Sequence, residues 1–313
     1  MKRIYLTVED HLSEINTFEK GCWVHLQNPT REEIDGINAR FALDPTYIQS
    51  ALDEEESARI ERDGDQTLII VDIPYVEAEG NGYSYTTVPL GIIMVDDVII
   101  TVSTRESTII TDFTEERIRN FWTFKRTRFI LQILQRNAGR FLSYLKQIDK
   151  TSQHIQEKLE HTSRNQELLQ MMKLEKSLVY FNTSLKGNAL VMERLMRQDI
   201  LKRYPEDTDL LEDVIIENKQ AIEMTSIYRD IINSTRELFS SVIDSRLNNV
   251  MKYLTSITVV MAIPTIISGL YGMNVNAGGM PFANSVQGFA IVCLITLLIC
   301  ILALWLLHKK NML

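Results

Sequence analysis

From Leu254 to Leu307 the chain carries no charged side chain. So long an uncharged stretch cannot lie on a water-facing surface; it is the material of membrane spans. Two apolar runs stand out within it, one near 254–271 and one near 286–307. Each approaches the roughly 20 residues needed to cross a hydrocarbon core. Arg246 and Lys252 precede the first run, and His308, Lys309 and Lys310 follow the second. Basic flanks stay on the inner side. The expectation is therefore a hairpin in a cytoplasmic membrane, crossing it twice, with both termini inside.

The rest of the chain is as charged as the tail is not. Over all 313 residues the composition averages 45% hydrophobic and 24% charged, with a net charge of −8. That sign argues against a nucleic-acid partner, whose phosphates need a basic face. The opening segment Met1–Asp10 acquires acids before any long apolar run, so no signal peptide is expected and this part should stay in the cytoplasm. Cys22, Cys293 and Cys300 show no spacing suited to a structural zinc site.

Residues 1–110 read as a mixed α/β domain. Strand patterns cover 4–8, 22–26, 66–73, 83–89 and 90–102, with helical character over 31–41 and 46–53. Glu79-Gly80-Asn81-Gly82 is a hairpin signal, and Asp96-Asp97 marks a turn between 92–95 and 98–102. After Thr111 the pattern turns helical, with Asp112 or Thr114 as a cap and Glu115 and Glu116 in the first turn. Apolar residues at helical spacing over 125–163 and 168–196 suggest an antiparallel pair within 111–203. Tyr204-Pro205 is a boundary. From Glu206 no proline occurs before Pro264 and no glycine before Gly269. One helix from there to Gly272 has roughly 67 residues and is on the order of 100 Å long. Such a helix needs neighbours to be stable in water. The predicted order is thus a stalk helix over 206–253 continuous with a first span over 254–273, an outer loop over 274–285, a second span over 286–307 and a basic cytoplasmic tail over 308–313.

Two spans cannot enclose a pore, so an ion-conducting assembly needs several copies about an axis. Stepping by three and four along the first span gives Asn248, Met251, Thr255, Thr258, Ala262, Thr265, Gly269 and Gly272. Apart from Met251, all are small or polar. A seam of this period suits helices facing a common axis; it equally suits close helix packing in lipid. The second span, nearly uniform in Leu, Ile and Val, suits a lipid-facing outer position.

The first span ends in Tyr271-Gly272-Met273-Asn274. This stretch resembles the signature of CorA-type magnesium channels. Ala262–Leu270, Asn248–Lys252, Met280-Pro281 and the basic C-terminus are also similar to that family. The resemblance implies an α+β cytoplasmic domain followed by a long stalk helix and two transmembrane helices, assembled as a pentameric funnel that carries Mg²⁺ and is closed by internal Mg²⁺. It implies an outer ring of Asn274 carboxamides for the hydrated ion, with Met273 packed against a neighbouring subunit. Thr255, Thr258 and Thr265 would give hydroxyl rings. Met251 with Leu254 would form an apolar constriction, and Asn248 the inner mouth. Asp213 falls where the family places an interfacial acid, with Asp97 or its neighbour Asp96 as partner for a regulatory Mg²⁺. The outer loop has no acid, unlike many members, which leaves attraction at the mouth to dipoles. Co²⁺ and Ni²⁺ are further possible cargoes. A Zn²⁺ carrier similar to ZntB is a rival, although those relatives typically have isoleucine where Met273 stands. A membrane-anchored coiled-coil sensor is a second rival. No phosphate loop, nucleophile–base pair or His-x-x-x-His occurs, so an enzyme is not expected.

Overall fold

The computed structural model describes all residues except 80–81, 162–164, 198–200, 202–203, 275–278, 283–284 and 311–313. The chain forms two compact units, Met1–Arg236 and Glu237–Leu313.

Among the described residues of the first unit seven strands form one sheet: β1 (Lys2–Val8), β2 (His11–Ile15), β3 (Trp23–Gln27), β4 (Arg59–Asp63), β5 (Gln66–Glu79), β6 (Gly82–Val95) and β7 (Val98–Ser103). Their order is β2-β1-β3-β7-β6-β5-β4. Among the described residues only β3 and β7 run parallel; the other pairs are antiparallel. On one face lie α1 (Arg31–Phe41) and α2 (Pro45–Leu52), which bury Ile37, Phe41, Tyr47, Ile48 and Ala51 against Val24, Leu68 and Ile100. Thr30 caps α1 in a capping box with Glu33. Gly91 of β6 lets α2 come close, since a Cβ there would strike that of Ala51.

The other face is covered by α3 (Thr108–Thr114), α4 (Arg126–His161) and α5 (Asn165–Arg197), joined by Leu211 and Val214 of α6 (Pro205–Tyr271). Phe113, Phe121 and Phe129 cluster around Trp23 with ring centroids 5.1–6.3 Å from it. The helical pair is antiparallel. Phe141 meets Phe181 at 5.0 Å, while Asn137 and Asn188, further from the connection, reach the same carbonyl.

That carbonyl belongs to Asp72, which sits opposite Pro89 in the β5–β6 ladder. β4 has already ended, with Arg59 opposite Ile70. The buried Asn188 carboxamide therefore stands in for a strand. Its oxygen accepts from the Asp72 N–H at 2.9 Å and its nitrogen donates to the Asp72 carbonyl at 2.8 Å. Asn137 donates to the same carbonyl at 2.8 Å.

One expectation is corrected. The first helix after the sheet starts at Ser107, not at Asp112 or Thr114. The Ser107 hydroxyl accepts from the Ile109 N–H at 3.2 Å, and Glu115 is the C-cap. Starting there lets the helix bury Ile109, Ile110 and Phe113. Asp112 instead takes Arg140 at 2.9 Å. Glu116, expected in a first turn, has φ +53 and accepts from the Leu12 N–H at 2.6 Å. β2 and β4 were not expected, and the hairpin signal at 79–82 falls partly outside the described residues.

The second unit holds the later part of α6, which runs unbroken for 67 residues, and α7 (Gly288–Lys309). Both helices are long and apolar enough to cross a membrane.

Candidate functional site

Pro264 lies inside α6 and has no N–H to give the carbonyl four residues back, that of Val260. In lipid such a carbonyl must find another donor. The Cys300 thiol of α7 lies 3.9 Å from it. This contact marks the face of α6 that meets α7. Ser256 is buried, and Lys252, Val260, Ile263 and Ile267 are half-buried. At about 100° per residue, Thr258, Thr265 and Gly269 fall on roughly the opposite side. Those three are exposed, as are Asn248, Met251, Leu254, Thr255 and Gly272; Ala262 is half-buried. The seam at Thr258, Thr265 and Gly269 thus points away from α7, whereas Gly272 lines a cleft that α7 shares.

The seam hydroxyls have a defined polarity. Thr258 Oγ1 donates to the Leu254 carbonyl at 2.8 Å, and Thr265 Oγ1 donates to the Met261 carbonyl at 3.0 Å. With its proton committed to the helix backbone, each oxygen offers lone pairs outward.

At the end of α6, the Gly272 N–H donates to the Ser268 carbonyl at 2.9 Å and the Met273 N–H to the Leu270 carbonyl at 3.4 Å. A Cβ on Gly272 would come within 3.2 Å of the Ser268 carbonyl oxygen, tighter than a side chain ordinarily sits. The Tyr271 hydroxyl donates to the Pro281 carbonyl at 2.8 Å, which ties the returning loop to the helix end. Met273 and Asn274 are exposed. Met273 also lines an apolar cleft of about 850 Å³ shared with Tyr271, Met280, Phe282 and Phe289, all of this same unit. Much of the outer loop, 275–278 and 283–284, lies outside the described residues.

The two acids expected to sense Mg²⁺ lie in the first unit. Asp97, on the β6–β7 turn, pairs with Lys20 at 3.0 Å and Arg126 at 3.6 Å. The Lys20 ammonium, followed by Arg126, holds its carboxyl below the usual range. Asp96 beside it has φ +48, and its carbonyl accepts from Arg126. Asp213 is exposed on α6. It adds to the burial that raises the Glu217 carboxyl one turn on. Among the described residues of one chain, no three His, Cys, Asp or Glu side chains come together as a metal site.

Two contacts escaped the sequence reading. The Cys300–Val260 contact had a local signal, because an intrahelical proline always orphans a carbonyl. Gly288, whose missing side chain makes room for the loop backbone, had none.

The fold and the uncharged hairpin define a membrane transport protein: an α+β domain, a long helix and two apolar C-terminal helices. The chain belongs to the family of CorA-like Mg²⁺ transporter proteins, whose profile matches residues 18–309. It is 27% identical to the cobalt/magnesium transport protein CorA of Methanocaldococcus jannaschii, over 97% of this chain and 95% of that one. The complete structure of the CorA magnesium transporter from that organism superposes with a TM-score of 0.87 at 24% identity, covering 100% of this chain and 99% of the other. The ZntB cytoplasmic domain from Vibrio parahaemolyticus shares the fold at a TM-score of 0.54 and 12% identity, over 75% of this chain and 97% of that domain. The family consists of transporters and not of enzymes.

Proposed function

We propose that several copies of this chain surround a common axis in the cytoplasmic membrane and conduct Mg²⁺ inward down its electrochemical gradient, with Co²⁺ as a second cargo. The observation that carries this reading is the seam: mostly small or polar and mostly exposed, with Thr258, Thr265 and Gly269 on the side of α6 turned away from α7, and ending in Tyr271-Gly272-Met273-Asn274. Two spans per chain cannot close a pore, so the axis must lie between copies. Exposed apolar residues along α6 also favour like neighbours: Ile216, Ile227 and Ile231 in the first unit, Leu238 and Val242 in the second. Five copies is the number that the family resemblance implies.

The chemistry suits a hydrated cation. Mg²⁺ holds six oxygens tightly and sheds its waters reluctantly. The waters around a cation turn their protons outward, so a conducting wall should offer acceptors. Thr258 and Thr265 do so, since their own protons are spent on the backbone. Asn274 carboxamide oxygens would crown the outer end in the same sense, with Gly272 keeping backbone carbonyls accessible. Met251 and Leu254 would form the apolar constriction that gates by dewetting, with Asn248 at the inner mouth and both termini inside. Internal Mg²⁺ bridging Asp97 of one copy and Asp213 of the next would hold the closed state. Since Asp97 already pairs with Lys20 and Arg126, the ion must displace them. Co²⁺ is favoured because the relative from Methanocaldococcus jannaschii is a cobalt/magnesium transport protein. Zn²⁺ has no such support, because likeness at 12% identity speaks for the fold alone.

The test is uptake into liposomes holding the purified protein. The wild type is expected to take up Mg²⁺ along the gradient, faster with an inside-negative potential. Asn274→Ala is expected to slow uptake by about an order of magnitude. Equal rates in both would remove Asn274 from the conduction path, and no uptake by the wild type would end the reading. Competition by Co²⁺, Ni²⁺ and Zn²⁺ in the same vesicles ranks the cargoes.

A further inference from the structure

The outer loop is held at a second point, by a residue with no side chain. Gly288, the first residue of α7, is buried. A Cβ built on it would collide with the carbonyl oxygen and carbon of Phe282. Phe282 itself has φ +61, a left-handed conformation that costs a bulky residue energy. Its carbonyl accepts from the Ser285 N–H at 3.2 Å, and the Gly288 N–H donates to the Ser285 carbonyl at 3.0 Å. One residue earlier, the Pro281 carbonyl holds the Tyr271 hydroxyl at 2.8 Å. The pair Pro281–Phe282 is thus gripped from both helices, by a phenol on α6 and by bare backbone on α7. Strained backbone persists where its surroundings over-determine it, and it collects at functional segments.

We propose that Gly288 is a positioning residue for ion discrimination. Its bare backbone seats Phe282, Phe282 fixes Pro281, and Pro281 fixes Tyr271, three residues before Asn274. A methyl group at position 288 must push the loop off its seat and move the end of α6 that presents the carboxamide. Gly288 touches no ion; it sets where the ion's partners stand. The inference rests on the reading of Asn274 as the outer crown.

The experiment compares Gly288→Ala, Tyr271→Phe, Asn274→Ala and wild type in liposomes. It records the Mg²⁺ concentration for half-maximal uptake and the ratio of Mg²⁺ to Ca²⁺ uptake. Gly288→Ala is expected to raise the half-saturating concentration severalfold and to narrow the ratio severalfold, with oligomer mass and melting temperature in detergent unchanged. Tyr271→Phe deletes one hydroxyl and leaves the packing; it should move both quantities in the same direction by less. Wild-type values in both variants would overturn the proposal. So would a Gly288→Ala loss that only tracks missing assembled protein while Tyr271→Phe is silent. Should Gly288→Ala fail to assemble, Tyr271→Phe decides. Asn274→Ala separates the two layers. If it keeps the ratio, the crown reading fails; if it alone loses the ratio, only the positioning role fails.

Discussion

At the scale of single residues, His25 shows burial acting on chemistry. Its ring lies beneath the first unit's surface, with Nδ1 2.9 Å from Thr101 Oγ1, which also accepts from the Trp23 indole at 2.8 Å. Burial lowers its pKa from 6.5 to about 4, and Arg3 and the N-terminal ammonium act in the same direction. Between those values the unfolded chain binds a proton that the folded chain refuses. Stability is therefore full above pH 6.5 and falls as the pH drops towards 4, by on the order of 3 kcal/mol if the whole shift is expressed. Melting of the purified protein from pH 7 to pH 4 should show this slope, and His25→Gln should flatten part of it. Parallel slopes would mean that His25 has no part in acid sensitivity. The residues of the hairpin were unevenly legible. The shared face of the seam threonines follows from their spacing, and the proposed role of Asn274 comes from its motif. The direction in which the hydroxyl protons point does not, because it depends on rotamers. Gly288 matters only through a neighbour that the fold brings to it.

Among elements, the edge of β5 is the instructive case. A strand whose partner has ended leaves polar backbone groups to satisfy, and buried ones are costly when left bare. The Asn188 carboxamide closes both groups of Asp72, with Asn137 as a second donor to the carbonyl. Asn188→Ala should therefore cost about 2 kcal/mol or more, read as a lower melting temperature. A change under about 0.5 kcal/mol would show that water replaces the amide without penalty. The same element explains what the sequence concealed. Pro89 divides the pattern of β6, so 83–89 and 90–95 read as separate pieces of one strand. Its lack of an N–H is harmless where the opposing residue bonds to asparagines. β2 and β4, with sequences HLSEI and RIERD, are edge strands whose residues are exposed or only half-buried, so they lack the apolar alternation that betrays a strand. α1 was legible to the residue because its caps and its apolar face agree. The start of α3 was not, because Ser107 competes with Asp112 and Thr114, which look equally fit to cap.

For the whole molecule, the features that matter most are those that the proposed assembly would complete. On that reading the seam of α6, the exposed isoleucines of its first half and the two proposed sensor acids would each meet another copy. Asp213→Ala should leave uptake running at internal Mg²⁺ concentrations that shut the wild type, which a liposome assay with Mg²⁺ loaded inside will read. Unaltered inhibition would reject this acid as a sensor. The distribution of charge made the membrane hairpin readable at once, whereas nothing local reveals how neighbours meet. Within the hairpin, the Cys300 thiol facing the Val260 oxygen has a mechanical consequence. A sulfur-borne proton binds oxygen far more weakly than an amide does. The link between α6 and α7 at this point is therefore softer than the peptide hydrogen bonds within either helix.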